Sequence, residues 1–123
     1  GVSIANIYIF QSMPLIKVCK LSALSGTGSL GFYITEVAPE RNIFIVFEDD
    51  QVYAYENRCP HTQAPLEWSP HKFLNSSKDH IQCANHGALF EIDSGRCVYG
   101  PCLEQSLAKI SVEISQGSVY VIL

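Results

Sequence analysis

Four residues in this chain have the types and spacing to do chemistry. Cys59 and His61 lie in "NRCPHTQAPLEW" (57–68), and Cys83 and His86 lie in "CANHGALF" (83–90). Thiolate and neutral imidazole suit borderline and soft metals, so zinc and an iron–sulfur cluster are the candidates. Zinc fingers usually pair two cysteines about two to four residues apart with two histidines about three to five apart. Here each segment supplies one Cys and one His, as C-x-H and C-x-x-H, with 21 residues between them. A dinuclear cluster accommodates this pattern, with one iron taking both thiolates and the other both imidazoles. Exchanging two thiolates for neutral imidazoles removes negative charge, so the cluster accepts an electron more readily than a four-cysteine one.

Elements must hold these two segments face to face. Strand signals dominate the chain. "NIYIF" (6–10), "LIKVC" (15–19), "FYITEV" (32–37), "NIFIVF" (42–47) and "QVYAYE" (51–56) are short β-branched or aromatic runs. "SGTGS" (25–29) and "EDDQ" (48–51) supply turns between them, with Asp49 and Asp50 expected in solvent. "ALFEI" and "RCVYG" flank "DSG" (93–95), and "AKISVEI" and "SVYVIL" flank "SQG", so two hairpins are expected there. No segment keeps a 3.6-residue apolar period over eleven residues; "LEQSLAKI" (103–110) has room for one short helical turn. The pattern predicts an all-β antiparallel sandwich or barrel. Residues 57–80 break it with Pro60, Pro65 and Pro70 and three histidines. A loop region of that length is expected to be functional or mobile.

The bulk numbers narrow the function. A chain of 123 residues reads as a single domain over 1–123 that can bury an ordinary core. A formal charge of −4 without a basic cluster argues against nucleic acid. No apolar run approaches roughly eighteen residues, so no membrane span is expected. The five cysteines, Cys19, Cys59, Cys83, Cys97 and Cys102, are an odd count, which suits a reducing cytoplasm better than a disulfide framework. Cys19 reads as a strand core residue, and Cys97 and Cys102 as two thiols close enough to pair. The chain starts at Gly1 and its only methionine is Met13, which leaves 1–12 open as an added lead.

The paired loops resemble those of the Rieske-type 2Fe-2S family. "CPH" followed by "APL", then "CANHG" with Phe90 beyond, match that family's two ligand loops. "GPC" (100–102) resembles its proline-containing third loop, and "IKVCKLSAL" (16–24) a common opening of its soluble ferredoxin members. The resemblance covers roughly 13–123 and implies a Rieske-like fold with a small cluster-binding subdomain inserted, its loops spanning about 57–102. It also implies that Cys59 and Cys83 hold a buried iron while His61 and His86 hold an outer one. Gly87, Ala88, Phe90 and Pro101 would surround the cluster, Gly87 by close approach or positive φ and Pro101 as part of its cover. Trp68 and Phe90 are expected to shield it. The stretch between the loops is longer than the family's, and the excess is placed in "SPHKFLNSSKDH" (69–80) as a surface excursion beside the cluster. His71 and His80 are expected in solvent there, His80 being the one spare imidazole near Cys83.

High-potential members carry an extra cysteine in each ligand loop, at the positions of Ala64 and Asn85, and hydroxyls at those of Ala88 and Phe90. Hydroxyl donors to cluster sulfur stabilise the reduced state. Their absence predicts a potential near the lower end of the Rieske range of about −150 to +300 mV. The resemblance therefore implies a soluble, cytoplasmic, low-potential ferredoxin. It would not be an enzyme by itself but the electron-transfer component of an oxidoreductase system. It would pass one electron from a reductase to an acceptor such as the terminal oxygenase of a dioxygenase. Two alternatives stand beside it: the small Rieske-like subunit of an assimilatory nitrite reductase, and a structural zinc-binding interaction module.

Overall fold

Strand β3 (Arg41–Glu48) explains the layout of the molecule. Its Ile43, Phe44, Ile45 and Val46 are all fully buried. Successive strand side chains point to opposite faces, so Ile43 and Ile45 enter one core while Phe44 and Val46 enter another. The neighbouring β4 (Gln51–Glu56) divides in the same way, with Ala54 in the first core and Tyr55 in the second. A two-residue turn joins them, with Asp49 and Asp50 exposed at φ 51° and 61°, the left-handed pair that matches hairpin twist. This hairpin is the wall between a structural barrel and the part of the chain that carries the four candidate ligands.

The computed structural model describes residues 14–123. Six antiparallel strands enclose the first core in the order β1 (Leu15–Lys20), β9 (Ser118–Ile122), β8 (Lys109–Ser115), β4, β3, β2 (Ser29–Ile34). Strand β8 turns the corner. It pairs with β9 from Ser111↔Ile122 to Ser115↔Ser118, but with β4 only at Ala54↔Ile110 and Tyr55↔Lys109. One short helix, α1 (Leu21–Thr27), lays Leu24 into this core and stops at Gly28, whose φ is 89° and whose N–H returns to the Leu24 carbonyl at 2.8 Å. Glycine is the residue that takes this left-handed end without strain.

The second core belongs to the segment between β4 and β8. Its three-stranded sheet, β5 (Ile81–Gln82), β6 (Leu89–Phe90) and β7 (Cys97–Tyr99), packs Ile81, Phe90 and Cys97 toward the outward face of β3 and β4. The Tyr55 hydroxyl donates to the Ile92 carbonyl at 2.5 Å, fastening this layer to the barrel. Phe73 stacks on Phe44 with ring centroids 4.4 Å apart and planes 5° apart.

The β architecture expected from the sequence is the one observed, with local corrections. Residues 25–27 end a helix rather than form a turn; seven residues containing two serines, a glycine and a threonine are too few for an apolar period to declare itself. "LEQSLAKI" holds no helix: residues 103 and 104 are turns, Ser106 bridges Arg96, and β8 begins at Lys109. The strand expected over 32–37 runs instead over Ser29–Ile34. The strand expected over 6–10 lies outside the described residues. Finally, 69–80 is no bare surface excursion. Phe73 is fully buried, and Asn75 closes the segment by accepting the N–H groups of Asp79 and His80 at 3.1 Å each.

Candidate metal centre

The two Cys/His loops are built on one backbone pattern. The Cys59 N–H donates to the Ala64 carbonyl at 2.8 Å, and the Cys83 N–H to the Ala88 carbonyl at 2.9 Å. Within each loop the residue four after the cysteine donates back to the cysteine carbonyl, Gln63 at 2.8 Å and Gly87 at 3.1 Å. Both of those residues are left-handed, at φ 65° and 66°. The positive φ expected of Gly87 is therefore present, and Gln63 adopts the same conformation at some cost. His86 carries a further positive φ of 135°.

The loops are tied to each other and to the barrel. Ala84 N–H donates to the Leu66 carbonyl at 2.8 Å, and Asn85 Nδ2 to the Pro65 carbonyl at 3.4 Å. Hydrogen bonds thus link the loops beside Ala64 and Asn85, where a disulfide cannot form. Asn57 anchors the first loop from within. It is buried, its Oδ1 accepts the Leu66 N–H at 2.8 Å, and its Nδ2 donates to Glu67 Oε1 at 2.8 Å.

The cysteines lie inside and the histidines outside. Cys59 and Cys83 are 2% and 1% exposed, whereas His61 and His86 are open to solvent, their ring centroids 5.7 Å apart and their planes at 82°. Burial pushes the Cys59 thiol up. The N–H groups of Thr62 and His61, then the Thr62 hydroxyl and the Cys83 thiol, outweigh burial and carry it below its ordinary value. Burial raises the Cys83 thiol; the Asn85 N–H opposes this and the Cys59 sulfur adds to it. Backbone N–H groups thus favour thiolate at Cys59, whereas at Cys83 the single Asn85 N–H is outweighed by burial.

The third loop closes over the second. Gly100, at φ 104°, packs so near Ala88 that an added Cβ would lie 2.9 Å from the Ala88 Cα. Beyond it, Pro101 is exposed while Cys102 is fully buried in the same core as Cys59, Cys83 and Cys97. Cys97 and Cys102 are free thiols with their sulfurs 3.3 Å apart. Burial, followed by the Cys97 neighbour, pushes the Cys102 thiol up to about 12.

The other candidates fall as follows. Phe90 is fully buried, but Trp68 is 66% exposed, which corrects the expectation that it shields the site. Trp68, Tyr33 and His71 instead line an open groove of about 440 Å³ beside β2, and none of the four candidate ligands lines that groove. His71 is a structural residue, its Nδ1 accepting the Gly31 N–H at 3.0 Å. His80 pairs with Asp79 at 3.0 Å. Cys19 is only half-buried against the barrel core. Asn57, Thr62 and Cys102 were not legible as site residues from the sequence, because their contacts, Asn57 with Leu66 and Glu67, Thr62 with Cys59 and Cys102 with Cys97, depend on how each loop folds back on itself.

Among the described residues, no three His, Cys, Asp or Glu side chains converge on one point, as a mononuclear zinc-finger site requires. The donors form two pairs, thiol with thiol and ring with ring. The profile of the Rieske [2Fe-2S] domain matches residues 15–115. The chain belongs to the Rieske family. It is 35% identical over 72 residues to Ferredoxin CarAc of Metapseudomonas resinovorans, covering 58% of this chain and 62% of that protein. It is 33% identical over 79 residues to human (Homo sapiens) Apoptosis-inducing factor 3, covering 64% of this chain and 12% of that protein. The chain thus spans under two thirds of either relative. Among solved structures, a chain in the complex of reduced oxygenase and oxidized ferredoxin of carbazole 1,9a-dioxygenase superposes with a TM-score of 0.67 at 29% identity, over 88% of this chain and 92% of that one. The ferredoxin of carbazole 1,9a-dioxygenase from Nocardioides aromaticivorans shares the fold, with a TM-score of 0.68 at 22% identity over 87% and 95% of the two chains.

The donor set fits the Rieske 2Fe-2S cofactor in type and pairing: two buried sulfurs with N–H donors, and two imidazoles at the surface. No helix among the described residues is long and apolar enough to cross a membrane.

Proposed function

We propose that this Rieske protein is a one-electron carrier of the ferredoxin kind. It would take an electron from a reductase and deliver it to an acceptor such as a terminal oxygenase, in the cytoplasm. Cys59 and Cys83 would hold the inner iron, and His61 and His86 the outer one. When bound, the 2Fe-2S cluster supplies reversible storage of one electron. The chain's own residues do the rest. The N–H groups of His61, Thr62 and Asn85 stabilise negative charge on the ligand sulfurs. Phe90, Ala88 and Leu66 exclude water from the inner side. The exposed His61 and His86 rings form the exit edge.

The observation that carries this reading is the exposed pair of imidazoles directly beyond two buried thiols. Such an edge serves short-lived docking with redox proteins, where a small interface permits fast release. The similarity to ferredoxins of carbazole 1,9a-dioxygenase supports an oxygenase as the acceptor. The odd cysteine count suits a reducing compartment.

The test is a single-turnover transfer under nitrogen. Chemically reduced, desalted protein is mixed with an oxidised Rieske-type oxygenase, and both visible spectra are followed. Transfer of one electron equivalent per chain is expected. A reduced protein that holds its electron against this oxygenase and against every other oxidised redox protein of higher potential would overturn the assignment.

A further inference from the structure

Trp68 and Tyr33 play no part at the metal centre. They are 66% and 62% exposed, and both line the groove of about 440 Å³ beside β2. Glu67 is the one carboxylate lining it, and no lysine or arginine does so. Asn57 Nδ2 donates to Glu67 Oε1 at 2.8 Å and fixes the group. Glu67 Oε2 lies over Gly31, another lining residue, 3.6 Å from where a Cβ there would stand. The Tyr33 hydroxyl donates to Glu40 Oε2, which places a second carboxylate beside the ring. Among the described residues no ion pair involves Glu67, and the one cation seated over an aromatic ring is Lys109, over Tyr53. The groove is acidic and aromatic, and this chain puts no cation in it.

We propose that this groove receives an arginine side chain of a redox partner protein and anchors the docked complex. This rests on the electron-carrier reading above. The chemistry of the walls selects the occupant. Aromatic faces attract a cation through their quadrupole. A guanidinium is planar, so it stacks on a ring while its fork of N–H donors pairs with a carboxylate; a lysine ammonium does only part of this. The openness of the groove selects the source. Small molecules bind where most of their surface is enclosed, whereas two rings standing mostly in solvent enclose little and suit a side chain presented by another protein. The formal charge of −4 complements a basic partner face. The neighbouring groove that shares Trp68 carries Lys72 and Lys78, so a cation is favoured on the Glu67 side alone.

The segment that builds the groove also joins the ligand loops. The Pro65 and Leu66 carbonyls accept Asn85 Nδ2 and the Ala84 N–H of the second loop, and Glu67 and Trp68 follow directly. A partner seated on Trp68 is held by chain that is tied to both loops. Asn57 adds to this, since the side chain that positions Glu67 also takes the Leu66 N–H.

The experiment has two arms, both on the cluster-loaded protein. In the first, N-acetyl-arginine methylamide is titrated into the oxidised protein while the indole N–H signal of Trp68, the only tryptophan, is followed by NMR. A saturable shift is expected, weaker with the lysine analogue, absent with the uncharged citrulline analogue, and reduced by salt. In the second, the rate of electron transfer to a Rieske-type oxygenase at limiting concentration is compared among the wild type, Trp68→Ala, Trp68→Phe and Glu67→Gln. Trp68→Ala and Glu67→Gln are expected to slow it about threefold to tenfold, with midpoint potentials unchanged, and Trp68→Phe to keep most of the rate. No saturable shift in the wild type, a citrulline response equal to that of arginine, or a transfer rate that neither Trp68→Ala nor Glu67→Gln alters would overturn the proposal. A wild type that passes its electron to no acceptor overturns the reading beneath it instead, whatever the arginine titration shows.

Discussion

The side-chain oxygen of Asn57 accepts the backbone N–H of Leu66 at 2.8 Å, so one buried amide spans the base of the first ligand loop. The same amide donates to Glu67 Oε1 at 2.8 Å and to Asn42 Oδ1 at 3.3 Å. Replacing it with Ala leaves the Leu66 N–H without its partner in the core. The expected cost is about 1–3 kcal/mol of folding stability. Urea denaturation measures it, and an unchanged midpoint would show that Asn57 carries none of the loop.

Phe73 is the counterpart anchor for the segment between the ligand loops. It stacks on Phe44, and Gly31 leaves the space its ring needs: an added Cβ there would lie 2.9 Å from Phe73 Cζ. Phe73→Ala is expected to cost about 3–5 kcal/mol, as truncations of buried aromatics do. Gly31→Ala should destabilise by a smaller amount by pushing the same ring. If both variants melt with the wild type, 69–80 is a surface appendage after all.

How much of this could be read from the chain alone depended on where each contact partner lies. The two Cys/His loops stand out in the chain because Cys59, His61, Cys83 and His86 are local in sequence and distinctive in type. The hairpins at 93–95 and around "SQG" were legible because turn residues flank alternating strands. Phe73 was not, since its burial depends on Phe44, which is far away in the chain. Trp68 misled for the opposite reason. An aromatic beside a cluster loop reads as a shield, yet its backbone directs it into solvent beside Tyr33. Helix α1 escaped notice because packing of Leu24, rather than a periodic face, holds its seven residues.

The exposure of Trp68 makes its own prediction. Trp68→Ala should leave stability within about 0.5 kcal/mol of the wild type, as substitutions away from packed sites do. The lifetime of the visible spectrum in air should also be unchanged. Rapid bleaching in the variant would restore Trp68 to a protective role.

The potential follows from the donors around the sulfurs. Ala88 and Phe90 have no hydroxyl, and hydrogen bonds rather than a disulfide tie the loops beside Ala64 and Asn85. A midpoint near the lower end of the Rieske range, about −150 mV, is expected. Redox titration with mediators measures it, and a value well above zero contradicts this account of the donors.

The most direct measurement is the iron and acid-labile sulfide content of protein produced anaerobically with ample iron, taken with its visible spectrum, for the wild type and for His61→Ala and His86→Ala. The account predicts a red-brown wild type with about two irons and two sulfides per chain, and loss of the Rieske spectrum in each variant while the β-fold persists. A colourless wild type binding a single zinc ion, or variants with undiminished iron and sulfide, would contradict it.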